Sequence, residues 1–420
     1  MKSELQFNKC KISDIQGNVA HATAMGPFGS NIKTENYVSS GVPIIRGKNI
    51  LNGYYDGTEL VYLTEEKADE LSGSNTFPED VLLVAQGNVG HVGYIPKDSK
   101  YNRFVLSQNL MKITIDQKKA IPLFIFYYLR SPEGQQEILQ YRNPTGVPCL
   151  AQPLTSFRNI LIPLPELNIQ KKIVEYLLNL DHEIQNLENQ NKILEQIGQA
   201  IFKSWFVDFD GVTEFEDSEL GKIPKGWSVK RIKEIAKFNP ENIGKDFSFS
   251  EIHYLDTSSV TDGIITCIQR LAKNDKPSRA KRLVKKNDIL ISTVRPNLKH
   301  YYFVKNPQKN LVVSTGFVVI RPTGISPFHL YYFLISDSYT EYLTGVADSH
   351  TSAYPSFPSE IIKNTKICLP DIESDSISSS FNKILNPMFE KLEFNENQIR
   401  SLTKTRDALL PKLMSGEIRV

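Results

Sequence analysis

The densest set of groups able to bind an anion lies between Arg270 and Lys309. There Arg270, Lys273, Lys276, Arg279, Lys281, Arg282, Lys285, Lys286, Arg295, Lys299, Lys305 and Lys309 stand against only Asp275 and Asp288. Such a density favours phosphate contact through counterion release. Within it, Arg295, Asn297, Lys299 and His300 occupy a proline-containing loop directly after the strand-like DILISTV. An arginine fork matches the guanine edge in the major groove and an asparagine amide matches adenine, so these residue types can read bases. The matching loop in the first half of the chain is Gln86-Gly87-Asn88, with Arg46, Lys48 and Asn49 in a nearby turn. Together with Arg279, Lys281 and Arg282, these are the candidate DNA contacts. The plainer alternative is a solvated basic face, with loop Asn and Gln side chains that merely cap turns.

No catalytic constellation accompanies them. The Asn-Pro pairs at Asn143, Asn239, Asn306 and Asn386 are followed by Thr145, Glu241, Gln308 and Met388, so none completes the Asn-Pro-Pro-aromatic motif that holds a target amine for methylation. There is no Walker loop and no HExxH metal helix. Glu79-Asp80 lacks a convincing carboxylate or lysine partner for nuclease chemistry. The seven histidines and four cysteines form no triad and no metal-ligand spacing. The chain reads as a binder and positioner, not an enzyme, with no cofactor or metal of its own.

The elements that hold these loops come in two copies. NILIPLP (159–165) matches NTKICLP (364–370), the hairpin-like segment 77–95 matches 284–304 with Asp80 against Asp288, and IPLFIFYYLRS (121–131) matches SPFHLYYFLIS (326–336). A long helical pattern follows each copy. The first places Ile173, Leu177, Leu180, Ile184, Leu187, Asn191, Leu194, Gly198, Ile201 and Trp205 on one seam. The second places Phe381, Leu385, Met388, Leu392, Asn395, Ile399, Leu402, Arg406, Leu409 and Leu413 on another. An apolar residue about every 3.5 positions, sustained this long, is a coiled-coil signature. Antiparallel pairing that sets Leu187 against Ile399 and Ile184 against Leu402 also brings the two seam asparagines, Asn191 and Asn395, together. Parallel pairing would leave both amides facing apolar residues. Pro387 is expected to kink or restart the second helix and Pro411 to loosen its last turn. Gly198 and Arg406 interrupt the two seams at equivalent positions, which predicts loose packing there or a place reserved for a partner.

At 420 residues the chain exceeds one core, and its 40% hydrophobic and 23% charged composition is that of a globular protein. The expected organisation is α+β. It comprises a first globule over 1–167, a helix over 168–207, an acidic solvated linker over 208–221, a second globule over 222–370, and a second helix with a tail over 371–420. The scattered cysteines point to a reducing compartment. With no apolar leader and no membrane-length apolar run, a cytoplasmic location is expected.

Taken together the pattern resembles the specificity subunit of Type I restriction–modification systems, over essentially the whole chain. The duplicated architecture, the LIPLPE run into the first helix (161–166), LGKIPKGWSVKRIKEIA (220–236) and the closing TRDALLPKLMSGEIRV, echoed by IGQAIFKSWFVDFDG, carry the resemblance. It implies two target-recognition domains that each read half of a bipartite, asymmetric double-stranded DNA target. It implies helices that set the unread spacer and dock two adenine-N6 methyltransferase subunits, with restriction and translocation subunits joining that core. AdoMet, ATP and Mg²⁺ would sit on those partners. The competing reading is a coiled-coil scaffold whose globules bind protein, which leaves the Arg270–Lys309 charge without a role.

Overall fold

The computed structural model describes residues 7–51, 53–143, 146–244, 247–350, 355–370 and 376–418. The chain forms two compact units, Met1–Gln185 with Arg400–Val420, and Asn186–Ile399. Both are α+β, and the repeat read from sequence holds at the level of strand order. In the first unit one four-stranded sheet runs Thr23–Met25, Leu110–Ile113, Val81–Val84, Val92–Tyr94, and the other runs Tyr62–Leu63, Val42–Ile45, Phe104–Leu106, Asn75–Thr76. In the second unit the corresponding orders are Ala236–Phe238, Phe317–Pro322, Ile289–Ser292, Tyr301–Phe303 and Gln269–Ala272, Glu251–Leu255, Leu311–Ser314, Ala280–Leu283. Each second sheet contains one parallel pair, Val42–Ile45 with Phe104–Leu106 and Glu251–Leu255 with Leu311–Ser314. The central strands VLLV and ILIS are buried along their whole length, as β-branched and leucine runs covered on both faces are. The aromatic helices Pro122–Arg130 and Pro327–Ile335 start on proline and are buried almost all round.

A turn explains why Asp80 and Asp288 recur. Glu79 and Asn287 both adopt left-handed backbone (φ 71 and 70). The following aspartate then accepts a backbone N–H three residues back, from Phe77 at 2.9 Å and from Lys285 at 2.8 Å. Both carboxylates are buried, and each is neutralised from the neighbouring strand. Asp80 takes Lys112 Nζ at 2.9 Å, while Asp288 takes Arg321 through Nε at 2.7 Å and Nη2 at 2.8 Å. The counter-ions are not equivalent. Lys112 lies opposite Leu82, whereas Arg321 comes one residue beyond the Ile289–Ile320 pair.

The stretch between the first long helix and the second globule is exposed but ordered. Phe215–Ser218 pairs with Gly221–Pro224 in a hairpin, and Glu214 takes Lys225 at 2.7 Å, so the segment is more than the plain linker its acidity suggested.

Each long helix, Leu167–Phe206 and Ser376–Ser415, gives one stretch to each unit. The second passes unbroken through Pro387 and Pro411, contrary to expectation. A proline inside a helix costs about 3 kcal/mol, and here the burial of Phe381, Leu385, Phe389 and Leu392 offsets it. In the second unit Asn395 Nδ2 donates to Asn191 Oδ1 at 2.8 Å, while Phe206 packs on Phe381 with ring centroids 5.0 Å apart. The two stretches are therefore antiparallel. Asn395 is fully buried, and its Oδ1 has no protein partner among the described residues. In the first unit Arg406 Nη1 donates to Asp181 at 2.8 Å.

The two seam interruptions are tight, not loose. Gly198 leaves room for Tyr332, whose hydroxyl would overlap a Cβ at that position. Arg406, its counterpart in the repeat, is held by Asp181 and Asp407. Where the first copy has Asp181 the second has Phe389, packed on Phe328 and Phe303 at 4.6 and 4.7 Å.

Two stability outcomes follow from these contacts. Gly198→Ala, which in an open helix interior gains roughly 0.5–1 kcal/mol, should instead lower the melting temperature, because overpacking costs about 1–3 kcal/mol. An unchanged or raised melting temperature would mean that Tyr332 swings away freely. Lys112→Met should cost about 3–5 kcal/mol by leaving Asp80 charged and buried, and Asp80→Asn in the same chain should recover most of it. Urea denaturation of the single and double variants measures both steps.

Candidate nucleic-acid interface

In the second unit the candidate loop (293–300) joins Ile289–Ser292 to Tyr301–Phe303. It is a short 3-10 turn, Pro296–Leu298, flanked by the left-handed residues Arg295 (φ 48) and Lys299 (φ 52). Non-glycine residues in that region carry strain of about 1–3 kcal/mol each, and surrounding bonds must hold them. Here the braces are backbone bonds. Arg295 N donates to Pro355 O at 2.8 Å, Phe357 N to Thr293 O at 3.0 Å, and Thr293 N to Gly316 O at 3.1 Å. Pro296 is buried beneath, and the side chains of Arg295 and Asn297 are exposed.

Lys299 and His300 do not join them. Lys299 is ion-paired with Asp337 at 3.0 Å, and His300 Nδ1–H donates to the Val260 carbonyl. Lys299 stays partly exposed with its charge met by Asp337, and His300 ties the loop to the neighbouring strand, contacts that spacing after a strand could not reveal.

The basic region is thinner than its sequence count. Lys285 pairs with Glu241 at 2.6 Å and Lys305 with Glu396 at 2.6 Å, and Lys273 Nζ donates to Phe247 O at 2.6 Å. Arg282 is half-buried with Nη1 lacking a hydrogen-bond partner among the described residues, and burial lowers its pKa. Arg270, Arg279, Lys281, Lys286 and Lys309 are exposed and have no paired carboxylate among the described residues. Arg270 sits on one edge strand of the second sheet, Gln269–Ala272. Lys281 sits on the other, Ala280–Leu283, at a register shift that sets a bulge in the edge.

In the first unit the matching loop follows Val81–Val84. Gly87 takes φ 85 and donates its N–H to Pro148 O at 2.8 Å, and Gln135 Nε2 donates to Gly90 O at 2.9 Å. Asn88 is exposed and Gln86 half-buried, bridged to Cys149. Thus both loops rest on the segment before a short helix, 148–150 in one copy and 355–357 in the other. Arg142, exposed and bridged to Leu150 of that segment, was not among the residues singled out from sequence. Its signal was the Arg-Asn-Pro run; Pro144 itself lies outside the described residues.

The turn at 46–49 is not assembled as a reader. Asn49 is fully buried, its Oδ1 accepting from Arg46 N at 3.0 Å and its Nδ2 donating to Thr58 O at 2.6 Å. Lys48 is clamped on the Glu59 carboxylate, whose pKa it lowers, and the Arg46 guanidinium donates to the Glu59 carbonyl. The corresponding turn of the second unit is capped by Asp256 through Thr257 N at 2.8 Å.

The outward-facing groups of these loops, among the described residues, are hydrogen-bond forks and cations. Among the described residues no group of three His, Cys, Asp or Glu could hold a metal ion, and no helix is long and apolar enough to cross a membrane.

Comparison with known proteins places this arrangement. The MjaIX specificity subunit of a Methanocaldococcus jannaschii Type I restriction enzyme is 28% identical, over 98% of this chain and 93% of its own length. The MjaVIII specificity subunit of that organism is 25% identical, over 91% of each. The HindI specificity subunit of Haemophilus influenzae is 31% identical, over 40% of this chain and 37% of its own. In fold, the S subunit of a Type I restriction–modification system from M. genitalium superposes with a TM-score of 0.55 over 98% of each chain, at 17% identity. The Type I restriction modification DNA specificity domain is matched twice, at residues 23–197 and 224–404, and the chain belongs to that family.

Proposed function

We propose that this chain is the non-catalytic, DNA-reading subunit of a Type I restriction–modification complex, with each unit recognising one half of a bipartite target. The observation that carries this reading is a loop built at the same place in the same topology in both units, braced by backbone bonds, and exposing different side chains. Asn88 is exposed on the first loop, with Arg142 bridged to the segment that supports it, and Arg295 and Asn297 are exposed on the second. Arg270, Arg279, Lys281 and Lys286, exposed and without a paired carboxylate among the described residues, supply phosphate contacts for the second unit. The long helices dock two adenine-N6 methyltransferase subunits, and restriction subunits join that core. AdoMet, ATP and Mg²⁺ belong to those partners.

The test is to co-express the chain with its methyltransferase in a host lacking adenine methylation and to map methyl-adenine by single-molecule sequencing. A two-part motif with a fixed unread gap is expected. Asn88→Ala should relax one part only and Asn297→Ala the other; relaxation of both by either variant would sink the one-unit, one-half assignment. Lys281→Glu with Lys286→Glu should weaken binding to all sequences alike and flatten the salt dependence by about 0.9 per lost phosphate contact. A changed motif would instead make them base readers.

A further inference from the structure

The hairpin bearing the second loop rests on the helix pair through one face of its second strand. Tyr301, Phe303 and Lys305 alternate along that face. Phe303 packs on Phe389 of the second long helix, with centroids 4.7 Å apart. Lys305, only 7% exposed, reaches Glu396 two turns further along the same helix face at 2.6 Å. The Tyr301 hydroxyl donates to Asp262 in the adjacent turn. On the first long helix Glu195 accepts the Tyr332 hydroxyl at 3.4 Å.

Lys305 thus pairs with Glu396, and Glu195 on the other long helix lies within electrostatic reach of Lys305, Glu396 and Asp262. Burial pushes the Glu195 carboxyl up to about 7, against the opposing pull of Lys305 and Tyr332, with Glu396 and Asp262 adding to the rise. Tyr301 and Tyr331 close the remaining sides; burial raises both hydroxyls, so they stay protonated at neutral pH. Among the described residues the first unit has no such cluster. There Tyr54 and Tyr127 donate to Asp181 at 3.1 and 2.7 Å, and Asp181 is tied to Arg406, a group that keeps its charge at any physiological pH.

We propose that Lys305, Glu396 and Glu195 are positioning residues for the 293–300 loop, and that the charge on this cluster tunes how strictly the second half-site is read while leaving the first alone. The proposal rests on the reading that this loop contacts bases. With Glu195 protonated, Lys305 pairs with Glu396 undisturbed. Once Glu195 ionises, Lys305 is shared between carboxylates on two helices, and Glu195 repels Glu396 and Asp262. Lys305 lies two residues past Phe303, at the strand end away from the loop. Tyr301 at the loop end donates to Asp262, whose backbone N–H donates to Lys299 O at 2.8 Å, so a shift in the cluster reaches the loop along this strand. Discrimination by the second unit is therefore strict below about pH 7 and loosens above it.

The experiment uses this chain in complex with its methyltransferase partner and a pool of duplexes, each carrying a single mismatch in one half-site or the other. Methylation rates are compared within the pool at roughly pH 6 and roughly pH 8.5, so that the pH dependence of the transfer step cancels. Discrimination at the second half-site should fall by about tenfold across that interval, with the first half-site unchanged. Glu195→Gln should remove the dependence and hold the strict value. Lys305→Met should loosen the second half-site at every pH, and Lys305→Arg should restore it. Equal movement of both half-sites, or a profile surviving in Glu195→Gln, overturns the proposal. If Asn297→Ala changes the second half-site while the Glu195 and Lys305 variants do not, the positioning role alone fails. If Asn297→Ala and Arg295→Ala also leave it unchanged, the base-reading assignment of the loop falls with it.

Discussion

The burial of Ile173, Val174 and Leu177 from one helix beside Leu410, Leu413 and Met414 from the other closes the core of the first unit. The same pair of helices, further along, gives Phe202 and Phe206 together with Phe381, Leu385, Phe389 and Leu392 to the core of the second. The largest core of each unit, between its first sheet and the helices, draws residues from both long helices. A two-helix seam alone leaves much of each helix in water, as the half-buried Leu180, Leu194, Ile399 and Leu402 show. Sustained helix here depends on docking against a globule as much as on the seam, which is how the second helix tolerates two internal prolines.

The same constraint shaped how the copies diverged. A charge beneath a globule is costly unless paired, so changes there come in pairs. The ion pair of Asp181 with Arg406 in one copy is replaced in the other by Phe389 and Gly198, and the space freed at glycine is taken by Tyr332. Losing only the arginine would have left a carboxylate under Tyr54 and Tyr127. The turn carboxylate shows the milder case. Asp80 and Asp288 both cap the turn and persist, while the neutralising cation has moved from one strand position to another.

What was legible in the sequence follows from this. Asn191 and Asn395 were readable as partners because a polar residue in an apolar seam has few places to go, and the antiparallel register gives both amides one answer. The duplicated strands were readable because buried β-branched runs are long and distinctive. The loop residues were not. Asn49 and Asn88 have the same chemistry and both lie in turns, yet one is sealed into a backbone cap and the other is exposed. Lys299 and Lys305 looked like phosphate ligands until Asp337 and Glu396, distant in sequence, appeared beside them. Local sequence cannot report a counter-ion supplied from elsewhere in the fold.

The way the two loops are held separates their shape from the identity of the side chains they expose. Their shape is fixed by main-chain bonds: Gly87 N to Pro148 O in one copy, and Arg295 N to Pro355 O with Phe357 N to Thr293 O in the other. Such bonds do not depend on side-chain identity beyond tolerance of the left-handed residues. Asn88 and Asn297 extend from that frame into solvent, where surface substitutions usually alter stability by no more than about 0.5 kcal/mol. Substitution at those positions therefore leaves folding nearly untouched, as the proposed reading role requires. The residues beneath, Asp80 with Lys112 and Asp288 with Arg321, bear the opposite burden, since neither member of a buried pair can change alone. Variation is permitted at the loop tips and penalised one layer below.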